Sequence, residues 1–169
     1  FPMTRDGGEL ASSWDEAAET IAGRLRSGQD CAFLTEGDPF LYSTFIYIFK
    51  LLRERYPNLE VEVVPGISSV NAAAARSPLP LATGNERVAV LPATCDNLPE
   101  VLRSFDAVVL LKVNRVFDVV LSTLEDLGLA DSAVLVQRVT TEREEIVRNI
   151  RTLRGQKLDY FSLLIVRKQ

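Results

Sequence analysis

The chain has 169 residues, 47% of them hydrophobic and 25% charged, with no histidine and a formal charge of -4 from 19 basic and 23 acidic side chains. This composition fits a packed fold and excludes a disordered chain, while the acidic balance argues against a broad nucleic-acid surface, which needs clustered positive charge. Without histidine, Ser-His-Asp and Cys-His catalysis and histidine-based metal sites are excluded, and no metal is expected.

The opening FPMTRDGG resembles neither a leader peptide nor a natural start, so the chain is expected to begin inside a longer protein. Ser13-Trp14-Asp15-Glu16 reads as a capping box, and Trp14, Ala17, Ala18, Ile21, Ala22 and Leu25 recur at helical spacing until Gly28. Cys31 to Thr35 is a short apolar run expected as a buried strand, followed by the turn Glu36-Gly37-Asp38-Pro39. A helix is predicted from about Ser43 to Arg55, a strand over Glu60 to Val64, and an alanine-rich helix over Ile67 to Arg76. The most apolar stretch, Phe40 to Phe49, is too short to cross a bilayer. Cys31 and Cys95 form no CxxC pair, which, with the absence of a signal peptide, suggests a reducing cytoplasm.

Ser77 to Asn85 carries two prolines and a glycine with no periodicity, and a domain boundary is placed there, giving domains 1–79 and 80–169. Alternation then resumes. Strands are predicted over Arg87 to Leu91, Ala107 to Lys112 and Ser132 to Arg138, with helices over Leu98 to Ser104 and Val116 to Leu127. Glu145 to Asn149 and Tyr160 to Arg167 are further strands without long helices between them, so this sheet is expected to be mixed. The order of elements argues for an α/β fold.

In open α/β sheets, ligands bind outside the carboxyl ends of the strands. Glu36-Gly37-Asp38-Pro39, Pro65-Gly66-Ile67-Ser68-Ser69 and Lys112-Val113-Asn114-Arg115 are turns at such positions. Gly37 permits close backbone approach, and Asp38 can accept from a ribose hydroxyl or an ammonium; a plain strand-to-helix turn uses the same residues. Ser68 or Ser69 can cap a helix whose exposed N–H groups would suit a carboxylate. Lys112 could meet an anion or simply end its strand in solvent. Arg148, Arg151, Arg154 and Lys157 read as a solvated face before they read as a site for an acidic substrate. No GxxxxGK[ST] loop is present, which disfavours nucleotide triphosphate hydrolysis.

Taken in order, Phe33-Leu34-Thr35-Glu36-Gly37-Asp38-Pro39-Phe40-Leu41-Tyr42-Ser43-Thr44 and Val63-Val64-Pro65-Gly66-Ile67-Ser68-Ser69 resemble the tetrapyrrole methylase superfamily. Phe1 to Asp6, Pro80 to Ala93 and Tyr160 to Leu164 resemble its branch acting at C20 of precorrin-2 or cobalt-factor II in cobalamin biosynthesis. The resemblance implies a two-domain α/β fold, each domain a largely parallel or mixed sheet flanked by helices, with the first strand of the first domain missing. It implies S-adenosyl-L-methionine as cofactor in a cleft between the domains, S-adenosyl-L-homocysteine as product, a tetrapyrrole substrate and a homodimer, with neither nucleic acid nor membrane as partner. The implied cofactor contacts are Glu36, Gly37, Asp38 and Leu41, the second loop residues Ser68 and Ser69, then Lys112 and Val139. Asp38 and Tyr42 are candidates for proton removal. The family's opening glycine- and proline-rich loop has no counterpart here. The competing readings are a superfamily enzyme acting at another ring carbon, on ribosomal RNA ribose or on diphthine, and a non-catalytic cofactor-binding module.

Overall fold

Asp6, rather than Ser13, starts the first helix. In the computed structural model, which describes every residue except Met3, Arg5 and Gln169, helix α1 spans Gly7–Arg26 and the Asp6 carboxylate accepts the N–H groups of Gly8 and Glu9. Ser13 lies inside α1, so the capping-box reading is corrected: an aspartate seven residues upstream satisfies the orphan donors first. Met3 and Arg5, within the opening segment singled out above, lie outside the described residues. The chain divides into two compact units, Phe1–Ser68 and Ser69–Gln169.

The first unit rests on α1 and α2 (Phe45–Arg55). Ala18 and Ala22 of α1 meet Ile48 and Leu52 of α2, and Trp14, Ile21, Phe33 and Tyr56 pack around them. The Trp14 and Tyr47 rings stack with centroids 4.0 Å apart. Arg55 reaches Asp15 at 2.8 Å and Glu19 at 3.2 Å, and the Tyr56 hydroxyl donates to Glu19 at 2.7 Å, tying the two helices on their outer face. The strands predicted over Cys31 to Thr35 and Glu60 to Val64 are not formed, and this unit has no sheet among the described residues. Leu34 is 88% exposed and Val64 73%. The apolar pattern supplies side chains for a buried strand, but a strand also needs a neighbouring backbone to take its N–H and C=O groups, and neither segment has one here.

The second unit begins with α3 (Ser69–Arg76), followed by β1 (Val88–Pro92), α4 (Leu98–Ser104), β2 (Ala107–Leu111), α5 (Phe117–Asp126), β3 (Ala133–Gln137), β4 (Glu145–Val147) and β5 (Ser162–Arg167). The strands form one mixed sheet in the order β1-β2-β5-β3-β4. Strands β1 and β2 are parallel, β5 is antiparallel to both β2 and β3, and β4 is antiparallel to β3. The central strands read as unbroken apolar runs because both faces are covered. Val108, Leu110, Leu135, Leu164 and Val166 pack with α4 and α5 on one face. Val109, Val134, Val136, Leu163 and Ile165 face the other way and meet Val70 and Ala73 of α3, with Leu79 and Leu81 beside them.

That second layer explains where the units part. The sequence reading divides the chain after residue 79, at the proline-rich segment, whereas the compact units divide at Ser68/Ser69. Helix α3 and the Leu79–Leu81 stretch form the cover of the sheet, so the proline-rich segment lies along a packed face. Each fully buried leucine in these layers contributes on the order of 2–5 kcal/mol against truncation to alanine.

Candidate functional site

In the first unit, two of the singled-out turns are held against each other. Gly37 has φ 79°, a left-handed conformation that favours glycine. Asp38 then uses both carboxylate oxygens on backbone: Oδ1 accepts the Phe40 N–H at 2.9 Å and Oδ2 accepts the Gly66 N–H at 3.2 Å. A Cβ built at Gly66 would overlap the Gly37 carbonyl oxygen and lie 2.9 Å from its carbon, so the turns meet backbone to backbone. Pro39 is buried beneath them, Glu36 and Gly37 are exposed, and Leu41 is 38% exposed on the following turn. Ser68 is buried, and Tyr42 is exposed with φ 54°.

This geometry refines the role read from the sequence for Asp38. Its carboxylate first clamps the two turns; having about four acceptor positions, it keeps capacity for a further donor. The neighbouring Glu36 carboxylate is exposed and faces solvent. An exposed carboxylate beside bare glycine backbone offers hydrogen-bond acceptors suited to a ligand that carries hydroxyls and a positive charge.

In the second unit, β1, β2 and β3 run in the same direction and so end at one edge of the sheet. Lys112 follows β2 with φ 57°, and Arg138 follows β3 with φ 46°. Thr140, two residues on, has φ 65°. Left-handed non-glycine residues each cost on the order of 1–3 kcal/mol and concentrate where a backbone must present something specific. The Lys112 side chain is exposed, and Val139 is half-buried against the sheet layer that includes Val134 and Val136. Ser69 is exposed at the first position of α3. Lys112 and Val139 therefore lie along one sheet edge, on either side of the entry to β5.

Several residues that sequence reasoning did not single out organise this edge. Asp159 accepts the Phe161 N–H at 2.8 Å and pairs with Arg138 at 2.7 Å. The Phe161 N–H, with Arg138 beside it, holds the Asp159 carboxyl below its ordinary value. Glu144 accepts from Arg76 and from the Thr140 N–H, and the Arg76 guanidinium foremost holds its carboxyl down. Tyr160 and Phe161 are exposed at 46% and 52%. A left-handed arginine or threonine leaves no mark in a sequence, and one acidic residue within Glu142-Arg143-Glu144-Glu145 looks like the others, so no signal distinguished Glu144. The basic residues read as a face are largely engaged: Arg151 pairs with Asp131 and Glu125, Arg154 with Glu125, and Arg148 donates to the Ser77 carbonyl. Among the described residues, no cluster of metal-ligating side chains is present, and no helix is long and apolar enough to cross a membrane.

The model of the tetrapyrrole (corrin/porphyrin) methylases matches residues 1–153. The chain belongs to the tetrapyrrole methylase family. As a family member it is a methyltransferase, and its mixed α/β sheet is the family's. It is 33% identical to the cobalt-precorrin-2 C(20)-methyltransferase of Salmonella typhimurium, over 100% of this chain and 71% of that protein. It is 36% identical to a probable cobalt-precorrin-2 C(20)-methyltransferase of Methanocaldococcus jannaschii, over 99% of this chain and 70% of the relative. Among solved structures, the uroporphyrin-III C-methyl transferase of Thermus thermophilus complexed with S-adenosylhomocysteine superposes with a TM-score of 0.67. That likeness covers 90% of this methylase and 72% of the Thermus chain at 20% identity, and it concerns the fold.

Proposed function

We propose that this methylase transfers a methyl group from S-adenosyl-L-methionine to C20 of precorrin-2 or its cobalt complex, a step of cobalamin biosynthesis. The observation that carries the reading is 33–36% identity to C20-methyltransferases over essentially the whole chain. The exposed carboxylate and bare backbone of the Glu36–Asp38 turn support the choice of cofactor.

When bound, S-adenosylmethionine supplies an electrophilic methyl on sulfur. The electron-rich macrocycle supplies the nucleophile, so the protein's task is to orient the partners and exclude water, which needs no histidine. In this reading Glu36 accepts from hydroxyl or ammonium groups of the cofactor. Gly37 offers its backbone, Leu41 packs beside it, and Asp38 holds the turn while keeping a free acceptor position. Ser68 and Ser69, at the start of α3, Lys112 and Val139 supply the remaining contacts. The substrate's carboxylates call for basic side chains, and Lys112 and Arg115 are exposed next to β2. The family resemblance supports a homodimer as part of this proposal, and the free Cys31 and Cys95 are in keeping with a reducing cytoplasm.

Calorimetric titration with S-adenosylhomocysteine tests the cofactor assignment. Binding that weakens about tenfold in Asp38→Ala and in Ser68→Ala is expected, since each removes a charged or buried hydrogen-bonding group. A methyl-transfer assay on precorrin-2 and on its cobalt complex then assigns the substrate. Turnover of neither, alongside intact cofactor binding, would overturn the C20 assignment.

A further inference from the structure

The loop joining β3 to β4, residues 138–144, carries Val139 between two left-handed residues, Arg138 and Thr140. Nothing in their side chains favours that backbone, so the surroundings must hold it. Two carboxylates do. Asp159 anchors the start of the loop through Arg138 at 2.7 Å. Glu144 anchors its tip: Oε2 accepts the Thr140 N–H at 2.7 Å, and the same carboxylate takes Arg76 Nε at 2.8 and 2.9 Å. The Arg76 terminal nitrogen adds a further contact at 2.7 Å.

Arg76 is the last residue of α3, whose first residue is Ser69. One carboxylate therefore joins the helix that opens on Ser69 to the loop that presents Val139. The Glu144 side chain is 12% exposed, although its partner Arg76 is 58% exposed, whereas Asp131, the acid of another ion pair in the same unit, is 84% exposed. Solvent screens an exposed pair until it matters little, whereas a nearly buried carboxylate with three donors fixes geometry.

We infer that Glu144 is a positioning residue for the cofactor: it locks the Val139 loop to the end of α3 so that both present one preformed surface. The inference rests on the cofactor role proposed for Val139 and Ser69. It makes cofactor affinity, rather than the chemical step, depend on Glu144, because the residue shapes a binding surface and touches no reacting atom.

The test compares the unsubstituted full chain with Glu144→Ala, Glu144→Gln and Asp131→Ala. Glu144→Ala should weaken S-adenosylhomocysteine binding and raise KM for S-adenosylmethionine about tenfold, with kcat at saturating cofactor changed less than about twofold. Glu144→Gln keeps an oxygen that accepts the Thr140 N–H and should recover part of the affinity. Asp131→Ala loses an ion pair of the same unit and should leave KM unchanged. Hydrogen exchange of the free protein should show the Thr140 amide opening faster in Glu144→Ala. Unchanged affinity in Glu144→Ala, with the unsubstituted chain binding normally, would overturn the inference. Failure of the unsubstituted chain to bind would overturn the cofactor reading and with it the positioning role; faster Thr140 exchange would then mark the tie as purely structural.

Discussion

Both units are rich in apolar residues and use them differently. In the second, every predicted strand finds a neighbour, and residues such as Leu110, Leu135, Leu164 and Ile165 are fully buried between two covering layers. In the first, the buried core is the α1–α2 contact of Ala18, Ala22, Ile48 and Leu52, while Leu34, Val64 and Ile67 stay exposed. The contrast shows that burial follows from backbone pairing as much as from hydrophobicity: a side chain is covered only when its main chain has somewhere to place its hydrogen bonds.

The sharpest way to break this comparison is to truncate one leucine in the sheet and one isoleucine in the helix pair. Leu164→Ala should cost about 4 kcal/mol in chemical denaturation, because both faces around it are packed and cannot collapse. Ile48→Ala should cost about 2–3 kcal/mol, since two helices can slide together to refill part of the space. A larger loss at Ile48 would reverse the ranking of the units.

A smaller effect is expected where the first unit is most tightly built. Gly66→Ala forces a methyl group into the Gly37 backbone and should separate the two turns. Cofactor affinity, read by calorimetry, should fall at least about tenfold, as expected when a preformed site loses about 1.4 kcal/mol. The sheet of the second unit should unfold as before.

Acid should separate the units further. Glu86, Asp131, Glu144 and Asp159 of the second unit have carboxyls held below their ordinary values of 4.5 for glutamate and 3.8 for aspartate, mainly by Arg167, Arg151, Arg76 and the Phe161 N–H respectively. In the first unit the Glu19 carboxyl is lowered, chiefly by the Tyr56 hydroxyl. A folded value below the unfolded one means stabilisation present above the unfolded value and lost as pH falls through the folded one. Thermal scans from about pH 6 to about pH 3 should therefore show the second unit losing more stability than the first, beginning below about pH 5.

The smallest effect is expected at Trp14. Its indole N–H is buried with no acceptor among the described residues, while its ring stacks on Tyr47. Trp14→Phe keeps an aromatic contact and removes the unpaired donor, so the two changes should nearly cancel, within about 1 kcal/mol by urea titration. A loss of several kcal/mol would mean that the indole's extra area outweighs its unsatisfied nitrogen.

The sheet was legible because its strands announce themselves twice, by apolar runs and by their punctuation. Ala107 to Leu111 ends at Lys112, α5 ends before Gly128, and Leu98-Pro99 opens α4 with proline in its first turn. Segments 31–35 and 60–64 carry the same kind of run, yet pairing is a property of two segments and cannot be read from one. Asp6 gives no sign of being the cap in the sequence, because the apolar period starts only at Trp14. The loop residues Glu36 to Leu41 were found through their resemblance to a family, not through their chemistry; the tie from Asp38 to Gly66 joins positions 28 residues apart and leaves no local pattern. Glu144 and Asp159 leave no mark for the same reason, since the arginines that pair with them, Arg76 and Arg138, lie far away in the sequence.

The direct meeting of Gly37 and Gly66 has a consequence for protein engineering. Because Gly66 lies directly against the Gly37 main chain and its N–H is held by the Asp38 carboxylate, the two turns depend on each other: a donor loop with any side chain at position 66 would arrive in a space with no room for it. A chimaera that seeks to retune this enzyme should transplant residues 36–41 and 65–68 together, as one unit.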